Sequence, residues 1–336
     1  MARERDTRLD VLKAAAILLV ILGHVIRLVY VQATKAPLPL AAAFSVLALL
    51  DVPLFVFVSG YLAPVRAGAQ WVGRRALQLL VPYVAWNVLR WFVFYRTDAL
   101  DTIVRFMVWR NDTSAVWFLY ALFLVCAIYA AVSRSRVATI ALALACLLVP
   151  ASIVPWFSLQ YLLLLYPVFV AGRLAGERRI EPPWWILPAT FALLVAMWSG
   201  AGQNLIFAVP SWASGLARAA SWAPWPVAVL VNVLRMSLAL ALIGSAMYLA
   251  RGARRGAWIG GLTLGMYASH AFFLPVWARS GGLADVVWAY IVVAAAAIGV
   301  TMVLQRWEWT SFLLLGSAVL PRPRSAAEGA DEASSR

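Results

Sequence analysis

The chain contains only two histidines, His24 and His270. Histidine is the side chain best suited to proton transfer near neutral pH. Each lies in an apolar run long enough to be a membrane helix, where a polar side chain is costly and usually faces a cavity or a partner. Two isolated structural histidines at membrane depth would be the plainer reading and the less economical one. Their depths agree. His24 stands about 22 Å along a helix that starts near Leu9, at 1.5 Å per residue. His270 stands about 20 Å along a second helix that starts near Ala257 and runs the same way. Both rings can therefore reach one chamber. Lys13 precedes His24 by eleven residues, about three helical turns, so the two side chains share a face. Asp10 falls within about 40° of it. The stripe Asp10, Lys13, His24 spans about 16 Å from cation to imidazole. The alternative for Lys13 is a snorkelling residue at the interface.

Further polar residues interrupt apolar segments. Asp51 lies near the expected depth of His24, where it could orient an imidazole or pair with an arginine. Arg90 and Arg235 are the candidates for that pairing, or for stabilising a developing oxyanion. Tyr83, Asn87 and Arg90 follow i, i+4, i+7 spacing and share one helix face. Each of these also has a reading as an interhelical hydrogen bond. Cys126 and Cys146 stand in apolar segments with no Cys/His cluster nearby, which argues against a disulfide framework or a zinc site. No metal is expected.

Of the 336 residues, 64% are hydrophobic and 12% charged. Ordinary globular domains are about half apolar and a quarter charged, and one soluble core cannot absorb the excess. At about 20 apolar residues per crossing, the chain is expected to be an all-α polytopic membrane bundle of about ten transmembrane helices. Apolar runs place them at 9–31, 41–63, 77–96, 115–133, 137–153, 156–176, 183–200, 224–250, 257–278 and 283–305. Backbone in lipid must satisfy its own hydrogen bonds, which selects helices over strands.

The net charge is +14, but no basic stripe lies on a soluble domain, so nucleic acid is not expected as a partner. With the N-terminus in the cytoplasm, 19 of the 28 Lys and Arg fall on the inner side and 7 on the outer, with Arg90 and Arg235 inside helices. This obeys the positive-inside rule and places both termini in the cytoplasm. A cleaved signal peptide over 1–33 is the lesser reading, since His24 and Arg27 break its apolar run. The two longer outer segments are 97–114, with the pattern of an interfacial helix, and 201–223. Residues 1–320 are expected to form one membrane domain, and the polar segment 321–336 a disordered tail.

The segment "DVLKAAAILLVILGH" resembles the first helix of the acyltransferase-3 family of integral membrane O-acyltransferases, in which a basic residue and a catalytic histidine are separated by ten residues. Many members carry Arg at the first position. Lys13 resembles the sugar O-acetylase branch. "VPLFVFVSGYL" (52–62) is similar to the second-helix motif ending in Ser-Gly. "RRALQLLVPY" (74–83), "VWFLYALFL" (116–124), "YPVFVAGRLAG" (166–176) and "LGMYASH" (264–270), with Tyr267 three residues before His270, follow in family order. The resemblance covers about residues 8–305.

The resemblance implies acyl transfer from a thioester, usually acetyl-CoA, to a hydroxyl of a sugar, glycan or glycan-like acceptor. Acyl-CoA is then a co-substrate, with no bound cofactor. His24 matches the family's catalytic histidine and would act as general base or carry the acyl group itself. The donor's phosphates call for cations, for which Lys13, Arg74 and Arg75 stand on the expected cytoplasmic side. Arg74 and Arg75 can equally pair with lipid headgroups. Ser59 is read as helix packing or donor lining. The competing function is export of a polysaccharide or small molecule, since ionisable residues at membrane depth also suit a transport pathway. The expected location is a plasma or inner membrane.

Overall fold

The computed structural model describes residues 6–31, 38–94, 107, 116–149, 159–198, 225–274 and 283–317. Among them the regular structure is helical throughout, with no strand. The helices are α1 (Thr7–Val25), α2 (Leu38–Tyr61), α3 (Ala69–Phe94), α4 (Trp117–Val132), α5 (Arg136–Leu148), α6 (Leu159–Arg178), α7 (Ile186–Trp198), α8 (Trp225–Leu249), α9 (Thr263–Phe273), α10 (Leu283–Leu304) and α11 (Glu308–Leu315). Ten of these coincide with the segments expected from hydropathy. Among the described residues four stretches are long and apolar enough to cross a membrane by length and composition: Thr7–Leu28, Ala69–Phe94, Val229–Leu249 and Ala284–Leu304. Shorter apolar helices such as Trp117–Val132 accompany them. The segments 97–114 (apart from Met107), 201–223 and 321–336 lie outside the described residues.

α1 is the centre of the bundle. It packs on α2, α9, α10 and a short 3-10 turn at Ile259–Gly261. Ala16, Ile17, Val20, Ile21 and Val25 are fully buried. Asp6 caps its start, the carboxylate accepting the Arg8 backbone N–H at 3.0 Å, one of the donors every helix start leaves unpaired. Gly260 abuts this helix so closely that a Cβ there would lie 2.2 Å from the Asp10 carbonyl oxygen. After Val25 the chain continues as a π-helical stretch, Ile26–Val31, a form that occurs frequently at functional sites.

α2 and α6 cross at backbone contact. A Cβ on Gly60, Gly172 or Gly176 would stand 2.0, 2.1 or 2.4 Å from the carbonyl oxygen of Phe169, Phe57 or Tyr61 respectively. Small residues at such spacing let membrane helices approach closely where lipid supplies no hydrophobic drive. The Ser-Gly end of one sequence motif and the Phe-x-x-Gly end of another are thus two halves of one interface.

Three elements differ from expectation. α9 begins at Thr263 rather than near 257, because the preceding residues form the 3-10 turn packed on α1, so His270 is about 10 Å along its helix and not 20 Å. α3 begins at Ala69 rather than at 77, because an amphipathic turn carrying Arg74 and Arg75 extends the helix beyond its apolar part. α11 was outside the expected set. It is short and ends at Gly316 with φ 66°, where a Cβ would meet the Gln78 carbonyl oxygen at 2.2 Å. The Trp86 indole N–H donates to the Leu314 carbonyl at 2.8 Å, pinning α11 to α3. Trp184, Trp185, Trp258, Trp307 and Trp309 are all more than half exposed, near helix starts, as an aromatic interfacial belt requires.

Candidate active site

His24 occupies the last turn of α1, two residues before the π-helical stretch. His270 occupies the last turn of α9. Their imidazoles meet edge to face, with ring centroids 5.1 Å apart and planes at 71°. His270 is only 1% exposed, and His24 is half-buried. The Nδ1 of His24 lies 2.8 Å from the Val20 carbonyl oxygen. That of His270 lies 2.6 Å from the Tyr267 carbonyl and 3.3 Å from that of Met266. A carbonyl oxygen can only accept, so each neutral ring carries its proton on Nδ1 and keeps a lone pair on Nε2. The Nε2 of His270 is buried with no hydrogen-bond partner among the described residues. Two carbonyl-anchored imidazoles thus stand in ring contact, each with Nε2 as its free base.

Tyr267 has two structural roles. Its carbonyl anchors His270, and its hydroxyl accepts the Phe118 backbone N–H at 3.2 Å. That N–H belongs to the first turn of α4, which has no side-chain cap, so the tyrosine supplies the missing acceptor. Spacing within Tyr-x-x-His is what allows one residue to hold both a ring and a neighbouring helix. Asp51 is buried in α2. Its carboxylate accepts the Val52 N–H at 2.6 Å, and it lies close enough to act electrostatically on Tyr267. No hydrogen bond joins Asp51 to either imidazole among the described residues. Arg90 of α3 lies within electrostatic range of His270.

Tyr83 and Asn87 of α3 form a polar seam of their own. The Tyr83 hydroxyl donates to the Met107 carbonyl at 2.6 Å, and its ring lies 5.6 Å from that of Tyr120. The Asn87 amide donates to the Tyr83 carbonyl at 2.8 Å. Arg235 faces the interior of α8 and is 7% exposed. Ser59 is half-buried, one residue from the Gly60 crossing.

Lys13 and Asp10 form an ion pair at 2.6 Å and line a cleft of about 1080 Å³ at the end of the bundle where α1 begins. Tyr61, Arg179, Glu181, Arg251 and Arg254 are also on its walls. The structure therefore separates the expected donor set. Lys13 is in the cleft, whereas Arg74 and Arg75 are not among its lining residues. Arg74 is exposed. Arg75 lies over the Trp71 ring at 5.4 Å and donates to Gln78 at 3.1 Å. Arg179, Arg251 and Arg254 were visible in the sequence only as basic loop residues. Nothing in the order of the chain links 179–181 to 251–254. Packing of α6 and α8 around α1 and α2 does.

A family model described as an acyltransferase domain, acyltransferase-3, matches residues 6–306. This chain belongs to the acyltransferase-3 family. The matched span contains both histidines, the cleft and every helix from α1 to α10. The acyltransferase-3 chain is also similar to the nodulation protein NolL of Sinorhizobium fredii, at 30% identity over 213 residues, covering 59% of this chain and 56% of the relative. A NolL of Mesorhizobium japonicum is 32% identical over 129 residues, covering 36% and 34%. The chain thus spans about half the length of one of these curated relatives and a third of the other. No solved structure matches this acyltransferase-3 chain.

Proposed function

We propose that this chain is a multi-pass O-acyltransferase of the plasma or inner membrane, with ten spans and both termini cytoplasmic. It moves an acyl group, acetyl by preference, from acyl-CoA to a hydroxyl of a sugar, glycan or similar acceptor. The observation that carries this reading is the pair His24 and His270, edge to face at 5.1 Å, each with Nδ1 tied to a carbonyl and Nε2 left as a base.

In this reading the Nε2 of His24 accepts the acceptor's hydroxyl proton as its oxygen attacks the thioester carbonyl carbon. The tetrahedral oxyanion collapses, the C–S bond breaks, and the departing thiolate takes the proton back from the imidazolium. Fixing Nδ1–H on Val20 is what aims the lone pair, as an orienting partner does for other catalytic histidines. His270 shares the site as a second base of the same tautomer. Asp51 and Arg90 contribute polar groups to its surroundings, and Tyr267 positions His270. Tyr83, Asn87 and Arg235 support the surrounding polar framework.

The acyl-CoA enters at the Lys13 cleft, and its pantetheine arm runs along the Lys13–His24 face, about 16 Å. Arg74 and Arg75, which are not among the cleft's lining residues, serve topology and headgroup pairing. Membranes holding the protein should transfer label from [acetyl-14C]acetyl-CoA to a hydroxyl acceptor and release free thiol, and His24→Ala should stop both. Acceptor movement across sealed vesicles with no label transfer, unaffected by His24→Ala, would instead establish an exporter and end the enzymatic reading.

A further inference from the structure

The cleft beside Lys13 carries five cations and three carboxylates, and most of these charges already have a partner. Lys13 is held by Asp10 at 2.6 Å. Arg8 is held by Asp6 at 3.1 Å and by Glu181 at 2.9 Å. Glu181 also reaches Arg251 at 3.4 Å. Arg179 and Arg254 line the same cleft, exposed, and make no ion pair among the described residues. They come from two segments that meet only in the fold, one at the end of α6 and one in the turn after α8.

Arg179 has a second peculiarity. Its φ is 49°, and among the described residues it is the one non-glycine residue with a positive φ. It occupies the position just past α6, where the Ile180 N–H closes back on the Ala175 carbonyl at 3.0 Å. Helices commonly end there with glycine, because a Cβ is strained in the left-handed region. The closing bond uses backbone atoms alone, so glycine would serve the turn better. An arginine retained in a strained conformation on the wall of a cleft indicates a use for its side chain.

We propose that Arg179 and Arg254 are the phosphate-binding residues of this cleft, gripping the 3′-phosphate and diphosphate of the acyl-CoA donor. The assignment rests on the acyl-CoA reading above and refines it. Lys13 is neutralised by Asp10, so it orients the arm of the donor rather than its phosphates. Guanidinium forks are the donors best matched to phosphate oxygens. An anionic lipid headgroup offers the same chemistry, and the experiment separates the two sources.

The full-length protein in zwitterionic phosphatidylcholine nanodiscs is titrated with coenzyme A and with 3′-dephospho-coenzyme A by calorimetry. The wild type should bind coenzyme A more tightly. Arg179→Ala and Arg254→Ala should each weaken it about tenfold, the range for a charge-assisted hydrogen bond, and the double variant should lose the preference between the two probes. Arg179→Gly should weaken coenzyme A as Arg179→Ala does while raising the thermal midpoint, which separates ligand loss from misfolding. A double variant that binds coenzyme A as the wild type does overturns the assignment alone. So does a double variant that loses only the retention of phosphatidylglycerol added to the nanodisc. A folded wild type that ignores coenzyme A overturns the donor proposed above along with it.

Discussion

The imidazoles of His24 and His270 meet edge to face with centroids 5.1 Å apart, although 246 residues separate them in the chain. α1 brings one and α9 the other. Each ring is anchored through Nδ1 to a carbonyl of its own helix, so neither relies on the other for orientation. A pair built this way acts as a unit, and it should fail as one.

His24→Ala should lower acyl transfer by about 10²–10⁴, the range for removing a general base. His270→Ala should lower it too, and the double variant should be little worse than His24→Ala, since residues acting together are strongly non-additive. Single-turnover label transfer in purified membranes measures this. Multiplying effects would show that the two rings work in separate steps.

Lys13→Ala should raise the apparent KM for acetyl-CoA while leaving kcat nearly unchanged, the signature of lost binding rather than lost transition-state contact. The buried Asp10 carboxylate, 4% exposed, also loses its cation, so stability should fall, and Asp10→Asn in the same chain should restore it. Steady-state kinetics together with thermal unfolding in detergent separate the two effects. A fall in kcat at unchanged KM would remove Lys13 from the donor path.

Tyr267→Phe deletes the acceptor of the Phe118 N–H and leaves the carbonyl that holds His270. Leaving a buried donor unpaired costs about 1–3 kcal/mol. The variant should therefore unfold earlier yet keep its acyl-transfer chemistry, with its pH–rate profile unmoved. A displaced profile would mean that the phenol itself takes part in proton transfer.

Gly172→Val places a side chain where even a Cβ would lie 2.1 Å from the Phe57 carbonyl oxygen. The α2–α6 crossing must open, at a cost of about 1–3 kcal/mol or more for overpacking. Gly73→Ala, where nothing lies within 4 Å, should be well tolerated. Thermal midpoints of the two variants, measured side by side in one detergent, provide the check. Equal midpoints would contradict a backbone-contact interface.

How much of this was legible in the sequence can be judged from particular residues. Hydropathy located ten of the helices, since apolar length reports directly on burial in lipid or core. Spacing along α1 gave the shared face of Asp10, Lys13 and His24, because 3.6 residues per turn is a local property of the chain. The depth expected for His270 assumed a helix from Ala257, whereas α9 begins at Thr263. Lateral neighbourhood has no such one-dimensional signal. That α9 stands next to α1, that α6 and α8 bring Arg179 and Arg254 to the Lys13 cleft while Arg74 and Arg75 fall outside its lining, and that α11 folds back onto Trp86 were settled by which helix surfaces fit. The glycines show why. Gly60, Gly172 and Gly176 stand in the sequence as parts of local motifs, and only contact of these and Gly260 with Phe169, Phe57, Tyr61 and Asp10 across the bundle makes them the points that fix which helices touch. Composition and period determine elements and depth; close packing between surfaces far apart in the chain determines the site.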